Sequence, residues 1–324
     1  MKNFFCSDYS RKIGEEIIGS ATNYQTYVLV ECPPPWIWEA FGSKWVPSNL
    51  QLLHRELKSK KLPIRFLLIA KEDSHKNQET TLLIYHKPQG LTKSYIKREF
   101  KLPNIDLVEG EIRKWLAGKN SNYEIQNKFT RDILICTHGS HDQCCARYGN
   151  PFYFHAQKTI VELQLEEVRI WRSSHIGGHR FAPTAIDLPE ARYYGLLDQQ
   201  SLQAILCRAG DIKILDRVYR GWGLLPSALQ VLEREIIYIQ GWDWFNNKVS
   251  GKVLEQSMDN NTVLAELSYE NSAGCLYTLQ AKLIKDTVKT RILKTSCHAT
   301  EESLVVKYAI ENLYAKSTEV VSAL

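Results

Sequence analysis

The feature that most constrains this chain is a set of four metal-binding side chains in one short window. Cys136 is followed by eight residues and then Cys145; after twenty-nine more comes His175-Ile176-Gly177-Gly178-His179. Two thiols and two imidazoles suit either an iron–sulfur cluster or a zinc ion, because both metals accept thiolate and imidazole ligands. In either case the segments carrying these residues must end side by side.

The residues around the four donors sharpen the pattern. Gly177 and Gly178 lack Cβ, so the backbone between the imidazoles can turn tightly, approach a cluster or offer N–H groups to its sulfides. Ser173 and Ser174 could add hydrogen bonds. Cys144 competes with Cys145, but if 142–148 is helical, adjacent side chains diverge by about 100° and only one faces the metal; the spacing assigns Cys145. His138 and His141 can serve behind the ligands, form an alternative zinc site with Cys136 and Cys145, or stand as exposed loop histidines. Arg147, Arg172 and Arg180 flank the ligands, either as cations favouring a more negative cluster or as surface charges.

In chain order, a strand is expected at Thr26–Glu31, stopped by Cys32-Pro33-Pro34-Pro35-Trp36. Leu50, Leu53 and Leu57 lie at i, i+3 and i+7 of a helix over about 48–58. Strands follow at about 64–70 and 80–86, and then a helix near 94–100. This order is that of a thioredoxin-like half. A second unit opens with the strand Asp132–Ile135, which delivers Cys136. A helix from about Asp142 carries Cys144 and Cys145 until Gly149-Asn150-Pro151 interrupts it, and another runs over about 151–165. The strand 168–172 ends just before the histidines, followed by a hairpin through Pro189-Glu190-Ala191 and a helix over 199–207. Both ligand pairs therefore fall on loops beside strand ends, where open α/β sheets commonly place their sites. The last part reads as a helix from Pro226 to about Gln240, strands at about 262–269, 275–284 and 288–294, and a helix over about 301–314. The expected division is an N-terminal α/β region, 1–123; a thioredoxin-like ferredoxin domain, 124–215; and an α+β C-terminal region, 216–324.

Composition narrows the function. At 324 residues the chain exceeds one average domain. Its 44% hydrophobic and 24% charged residues are ordinary for a folded protein. No apolar run has the length of a membrane helix and the N-terminus lacks a signal-peptide core, so a cytoplasmic protein without membrane contact is expected. Eight scattered cysteines favour metal or redox chemistry in a reducing compartment over a disulfide scaffold. The net charge of +5 is too modest to indicate a nucleic-acid partner, although an acidic protein could be attracted to it.

The run Cys136-x8-Cys145 with His175-Ile176-Gly177-Gly178-His179-Arg180-Phe181-Ala182-Pro183-Thr184 resembles the signature of the sucrase/ferredoxin-like family. The similarity covers about 130–210 and extends more weakly to Gly14-Glu15, Gly19-Ser20-Ala21 and Pro35-Trp36. It implies a [2Fe-2S] cluster held by Cys136, Cys145, His175 and His179 on a thioredoxin-like ferredoxin domain, preceded here by a degenerate thioredoxin-like half. Nothing in the chain supports sucrose hydrolysis.

The leading expectation is a carrier of single electrons or a redox sensor rather than a stand-alone enzyme. No G-x-G-x-x-G follows a strand, so the electrons must come from a redox protein partner. Imidazole ligands raise the reduction potential relative to four thiolates, and a second, titratable nitrogen can couple electron to proton uptake. Two alternatives stand: a structural zinc domain on the same four residues, and a thiol oxidoreductase. The second is disfavoured because no C-x-x-C occurs and adjacent cysteines make a strained disulfide.

Overall fold

The computed structural model describes residues 4–74, 79–127 and 129–320. A short helix α1 (Cys6–Lys12) precedes strand β1 (Thr26–Glu31), helix α2 (Ser48–Ser59) and strands β2 (Ile64–Ala70), β3 (Thr80–His86) and β4 (Ile96–Leu102). Helix α3 (Val108–Leu116) leads to the short β5 (Glu124–Ile125). The order then repeats: β6 (Arg131–Cys136), α4 (Gln143–Glu162), β7 (Val168–Ser173), β8 (Ala185–Leu188), β9 (Arg192–Tyr194), α5 (Gln199–Cys207), α6 (Leu215–Val218) and β10 (Tyr219–Trp222). Helix α7 (Ser227–Gln240) is followed by β11 (Lys248–Gln256), β12 (Thr262–Glu270), β13 (Cys275–Lys285), β14 (Arg291–Leu293), β15 (Ser303–Val305) and β16 (Tyr308–Val320).

The first ten strands form one mixed sheet in the order β10-β9-β8-β6-β7-β2-β1-β3-β4-β5. Each half contains a parallel pair joined through a helix, β1-α2-β2 and β6-α4-β7, with the next strand antiparallel on the other side of the first. The halves meet where the C-terminal ends of β2 and β7 pair antiparallel, Ile69 with Ser173 and Ala70 with Arg172. The strands on either side of residue 123, β4 and β5, pair within this sheet, Glu99 with Ile125 and Phe100 with Glu124. A separate four-stranded sheet, β11-β12-β13-β16, follows, with β14 and β15 paired apart from it.

Alternation along β1 explains the layering. Val28 and Val30 face a core with Leu50, Leu53 and Leu57 of α2 and Val108 and Ile112 of α3. Tyr27 and Leu29 face a larger core that includes Tyr153 and Ala156 of α4, Ile205 of α5, Leu229 and Leu232 of α7, and Leu267 of β12. A strand buried on both faces puts successive side chains into opposite cores.

Several expected elements differ. Residues 96–102 are a strand, not part of a helix, because Lys97 and Glu99 are drawn into ion pairs within the sheet. Glu99 accepts two hydrogen bonds from Arg169, each 2.7 Å, and Lys97 lies 2.8 Å from Asp132. Helix α4 runs through Pro151. A mid-helix proline costs about 3 kcal/mol, but Phe152, Tyr153 and Ala156 just beyond it are buried, and burial of such side chains contributes about 1.5–3 kcal/mol each for the large ones. The stretch 301–314 is strand rather than helix: β16 closes the second sheet against β13. That sheet also uses β11, which carries no clear apolar alternation, while β14 pairs with β15 instead of joining a meander.

Asp132 is fully buried on β6 and receives hydrogen bonds from Tyr85, Lys97, Arg169 and Trp171. Burial alone would raise its pKa, but Arg169 and Lys97 hold it below the ordinary carboxylate value, and Arg169 does the same for Glu99. The unfolded chain therefore takes up protons first. The stabilisation is complete above the unfolded carboxyl pKa of about 4 and is lost as pH falls through the folded values; urea unfolding between about pH 3 and 6 should show that slope reduced in Asp132→Asn. Separately, a Cβ on Gly149 would stand 1.9 Å from the Cys136 carbonyl oxygen. Gly to Ala in a helix normally gains about 1 kcal/mol, yet here overpacking should outweigh it, and Gly149→Ala should lose on the order of 2 kcal/mol in the same measurement.

Candidate metal centre

Cys136 is the last residue of β6, and the absence of a side chain at Gly149 lets α4 pack against its carbonyl. The chain then turns through Thr137–His141 to Asp142, whose side chain caps α4 by accepting a hydrogen bond from Cys144 N at 2.9 Å. Cys144 and Cys145 therefore sit in the first turn, with their side chains pointing apart. Cys145 turns to Cys136 and His175; Cys144 turns to Cys6 and Cys297.

Cys136, Cys145 and His175 have their ligand atoms within 4.8 Å of one another. His175 Nδ1 lies 3.9 Å from Cys136 Sγ and 3.7 Å from Cys145 Sγ. Burial opposes a thiolate at Cys136, but the hydrogen bond from Cys145 and the adjacent His175 bring its pKa well below the ordinary thiol value. Cys145 donates to Cys136 and is itself buried, which pushes its thiol well up.

His179 belongs to a second group within 4.8 Å, made with His175 and His141. Its Nε2 lies 2.6 Å from the Thr295 carbonyl, which can only accept, so Nε2 carries the proton. Burial lowers its pKa, with Asp142 opposing, and the neutral ring is left with a lone pair on Nδ1. That Nδ1 is buried and has no hydrogen-bond partner. A buried imidazole nitrogen without a partner, whose opposite N–H is held by a backbone carbonyl, is how a histidine is set for a metal.

His138 is excluded as a ligand by its own bonds. Its Nδ1 accepts from the His175 backbone N–H at 3.2 Å and its Nε2–H donates to the Ile37 carbonyl at 2.8 Å. Both ring nitrogens are used, and the ring fixes the backbone of His175. His141 is sandwiched instead: its ring stacks on His175 at 3.8 Å between centroids and on Trp38 at 5.1 Å. Burial and His175 lower its pKa to about 4.

The glycines have separate roles. Both Gly177 and Gly178 have positive φ, +88° and +75°. A Cβ on Gly178 would lie 2.5 Å from the buried guanidinium carbon of Arg220, whereas one on Gly177 would meet nothing within 4 Å. Arg220 Nη1 donates to the Gly177 carbonyl at 3.0 Å, and Arg65 donates to the His175 carbonyl. Burial holds the Arg220 pKa down to about 10.

Several flanking residues have other partners. The Ser173 hydroxyl donates to the Ser174 carbonyl and the Ser174 hydroxyl accepts from Leu68 N. Arg180 pairs with Glu15 at 2.7 Å, while Arg147 and Arg172 lie over aromatic rings. Arg65 and Arg220, the cations bonded to the histidine loop, were not singled out by sequence. Neither were Thr295, Cys6 and Cys297, which lie far along the chain with no spacing relation to the window; the RGWG run at Arg220 was the one available signal.

The chain belongs to the sucrase/ferredoxin-like family, whose profile matches residues 17–221, more than half of its length. Comparison with curated proteins and with solved structures gave no match. The match spans both halves of the large sheet, so the first half is as much part of the family as the half that carries the donors. Among the described residues no helix is long and apolar enough to cross a membrane.

His138 holds the His175 backbone while both of its own ring nitrogens are used, so His138→Ala should leave the four candidate donors in place and lower the retention of any metal loaded onto them about 10–100-fold. Challenge of the metal-loaded protein with a competing chelator measures this, and retention equal to the unsubstituted chain would remove His138 from that role.

Proposed function

We propose that the chain is a [2Fe-2S] protein of electron transfer or redox sensing, with Cys136 and Cys145 on one iron and His175 and His179 on the other. The observation that carries this reading is the unpartnered, buried Nδ1 of His179 beside His175, whose own Nδ1 faces two thiols. The donor chemistry fits: two thiolates and two imidazoles are a known ligand set for such a cluster.

The spread of the donors supports two metals over one. In a tetrahedral zinc site bond lengths of about 2.0–2.3 Å place all four donors within about 4 Å of one another. Here two groups share His175, one with the thiols and one with His141 and His179. The two thiols and His179 do not fall in one such group, a spread wider than a single zinc ion spans and one that a two-iron unit can bridge.

The fold is consistent with a thioredoxin-like ferredoxin. The order β7-β6-β8-β9 is a parallel pair with two antiparallel strands added beside its first member. The order β2-β1-β3-β4 repeats it, which supports a degenerate thioredoxin-like first half. Such a centre supplies reversible storage of one electron. Around it the protein holds His175 through His138 and Arg65, holds His179 through Thr295, and places the buried Arg220 cation against the Gly177 carbonyl. That cation favours an added negative charge nearby.

Trp38 is largely exposed and stacks on His141, which stacks on His175. The rings cover the histidine side of the site and end at the surface, where a redox protein partner can approach.

Anaerobic purification followed by iron and acid-labile sulfide analysis tests the reading. We expect two irons and two sulfides per chain, an EPR signal on reduction, and loss of both metal and signal in Cys145→Ala and His179→Ala. Iron-free protein with zinc that disappears on Cys136→Ala would overturn it.

A further inference from the structure

We propose that Cys6, Cys144 and Cys297 form a second metal site, selective for zinc, with the Asp142 carboxylate as its fourth donor. The three thiols come from α1, from the first turn of α4 and from the loop between β14 and β15, so no local chain geometry forces them together. Their sulfurs nevertheless form a near-equilateral triangle: 3.6 Å from Cys6 to Cys144, 3.3 Å from Cys144 to Cys297 and 3.5 Å from Cys297 to Cys6. Asp142 Oδ1 lies 3.9 Å from Cys6 Sγ, and all four residues have ligand atoms within 4.8 Å of one another.

Zinc at about 2.3 Å from each sulfur in tetrahedral geometry separates the sulfurs by about 3.8 Å. The triangle needs to open by only a few tenths of an ångström to accept it. Three soft thiolates with one carboxylate suit zinc better than calcium or magnesium, which take oxygen ligands.

The surroundings are those of a bound cation. Asp142 is fully buried, and its oxygens accept hydrogen bonds from the backbone N–H groups of Cys144 and Cys297, each 2.9 Å. Its one ion-pairing neighbour among the described residues is His179 at 3.9 Å, an imidazole already committed to the Thr295 carbonyl. A buried carboxylate without a full countercharge is costly, and a divalent cation supplies that charge. Ser7 N donates to Cys144 Sγ at 3.4 Å, a bond that favours the thiolate a metal requires.

This site differs in residues and position from the one formed by Cys136, Cys145, His175 and His179. Adjacent cysteines on one helical turn serve the two sites separately. The zinc would tie α1 and the 293–303 loop to the start of α4, and that same loop supplies the Thr295 carbonyl that holds His179.

The test is zinc content and affinity in the full chain and in the double variant Cys136→Ala/Cys145→Ala, measured by elemental analysis and by competition with a chromophoric chelator. One zinc per chain is expected in both. Cys297→Ser, at a partly exposed loop position, should bind it at least 100-fold more weakly while its far-UV circular dichroism stays unchanged. Cobalt(II) added to the zinc-free double variant should give intense thiolate-to-cobalt absorption that Cys297→Ser weakens. No zinc or cobalt uptake by the double variant, uptake that survives Cys297→Ser, or a Cys144–Cys297 disulfide in protein purified under reducing conditions would each overturn the assignment. Loss of the iron centre alone leaves every one of these readouts intact, so the two sites fail independently.

Discussion

The large sheet is joined across its middle by two residue pairs, Ile69 with Ser173 and Ala70 with Arg172. Backbone and side chain reinforce this seam: Ser174 N donates to the Leu68 carbonyl at 2.8 Å, and Leu68 N donates to the Ser174 hydroxyl at 2.9 Å. Because β2 and β7 overlap only at their C-terminal ends, the loops that leave these two strands start beside the seam. His175 follows the seam directly. Its backbone is held by His138 from one half and by Arg65 from the other. The position of His175 is thus a consequence of how the halves are joined.

The halves share a layout but divide the work. Each has a cysteine at the C-terminal end of its first strand, Cys136 closing β6 and Cys32 just after β1. Burial pushes the Cys32 thiol up to about 12, and among the described residues it joins no group of metal-binding side chains. The loop after it supplies a wall instead: the Ile37 carbonyl accepts a hydrogen bond from His138 Nε2–H, and Trp38 covers His141. The β1–β4 layer thus holds His138 through the Ile37 carbonyl and covers the outer face of His141 with Trp38.

What the sequence revealed were the features that depend on near neighbours. The helix α5 over Gln199–Cys207 has its own capping box, Asp198 with Ser201, and was readable to the residue. The Cys-x8-Cys and His-x3-His spacings were readable because strand, loop and helix turn are all local. Strand β4 was not. Lys97, Arg98 and Glu99 look solvent-facing in sequence, and the partners that bury two of them, Asp132 and Arg169, lie 35 and 70 residues away. The strand β16 hid for a related reason: Lys307, just before it, is a lysine that is buried, its Nζ donating to the Ile18 carbonyl 289 residues away at 2.9 Å.

The same distinction separates the two groups of cysteines. Cys145 could be assigned from spacing because its partners Cys136 and His175 lie on the same local unit, whereas the thiols around Cys144 come from opposite ends of the chain. Two neighbouring residues on one helical turn, about 100° apart, therefore look alike in sequence and point to different surroundings. Asp142 separates them physically. By capping α4 it fixes the rotation of the first turn, and with it which thiol faces the histidines and which faces Cys6 and Cys297. Moving the cap by one residue would rotate both thiols by about 100° and take Cys145 away from Cys136. The helix cap, more than the choice of cysteine, sets which thiol faces the histidines.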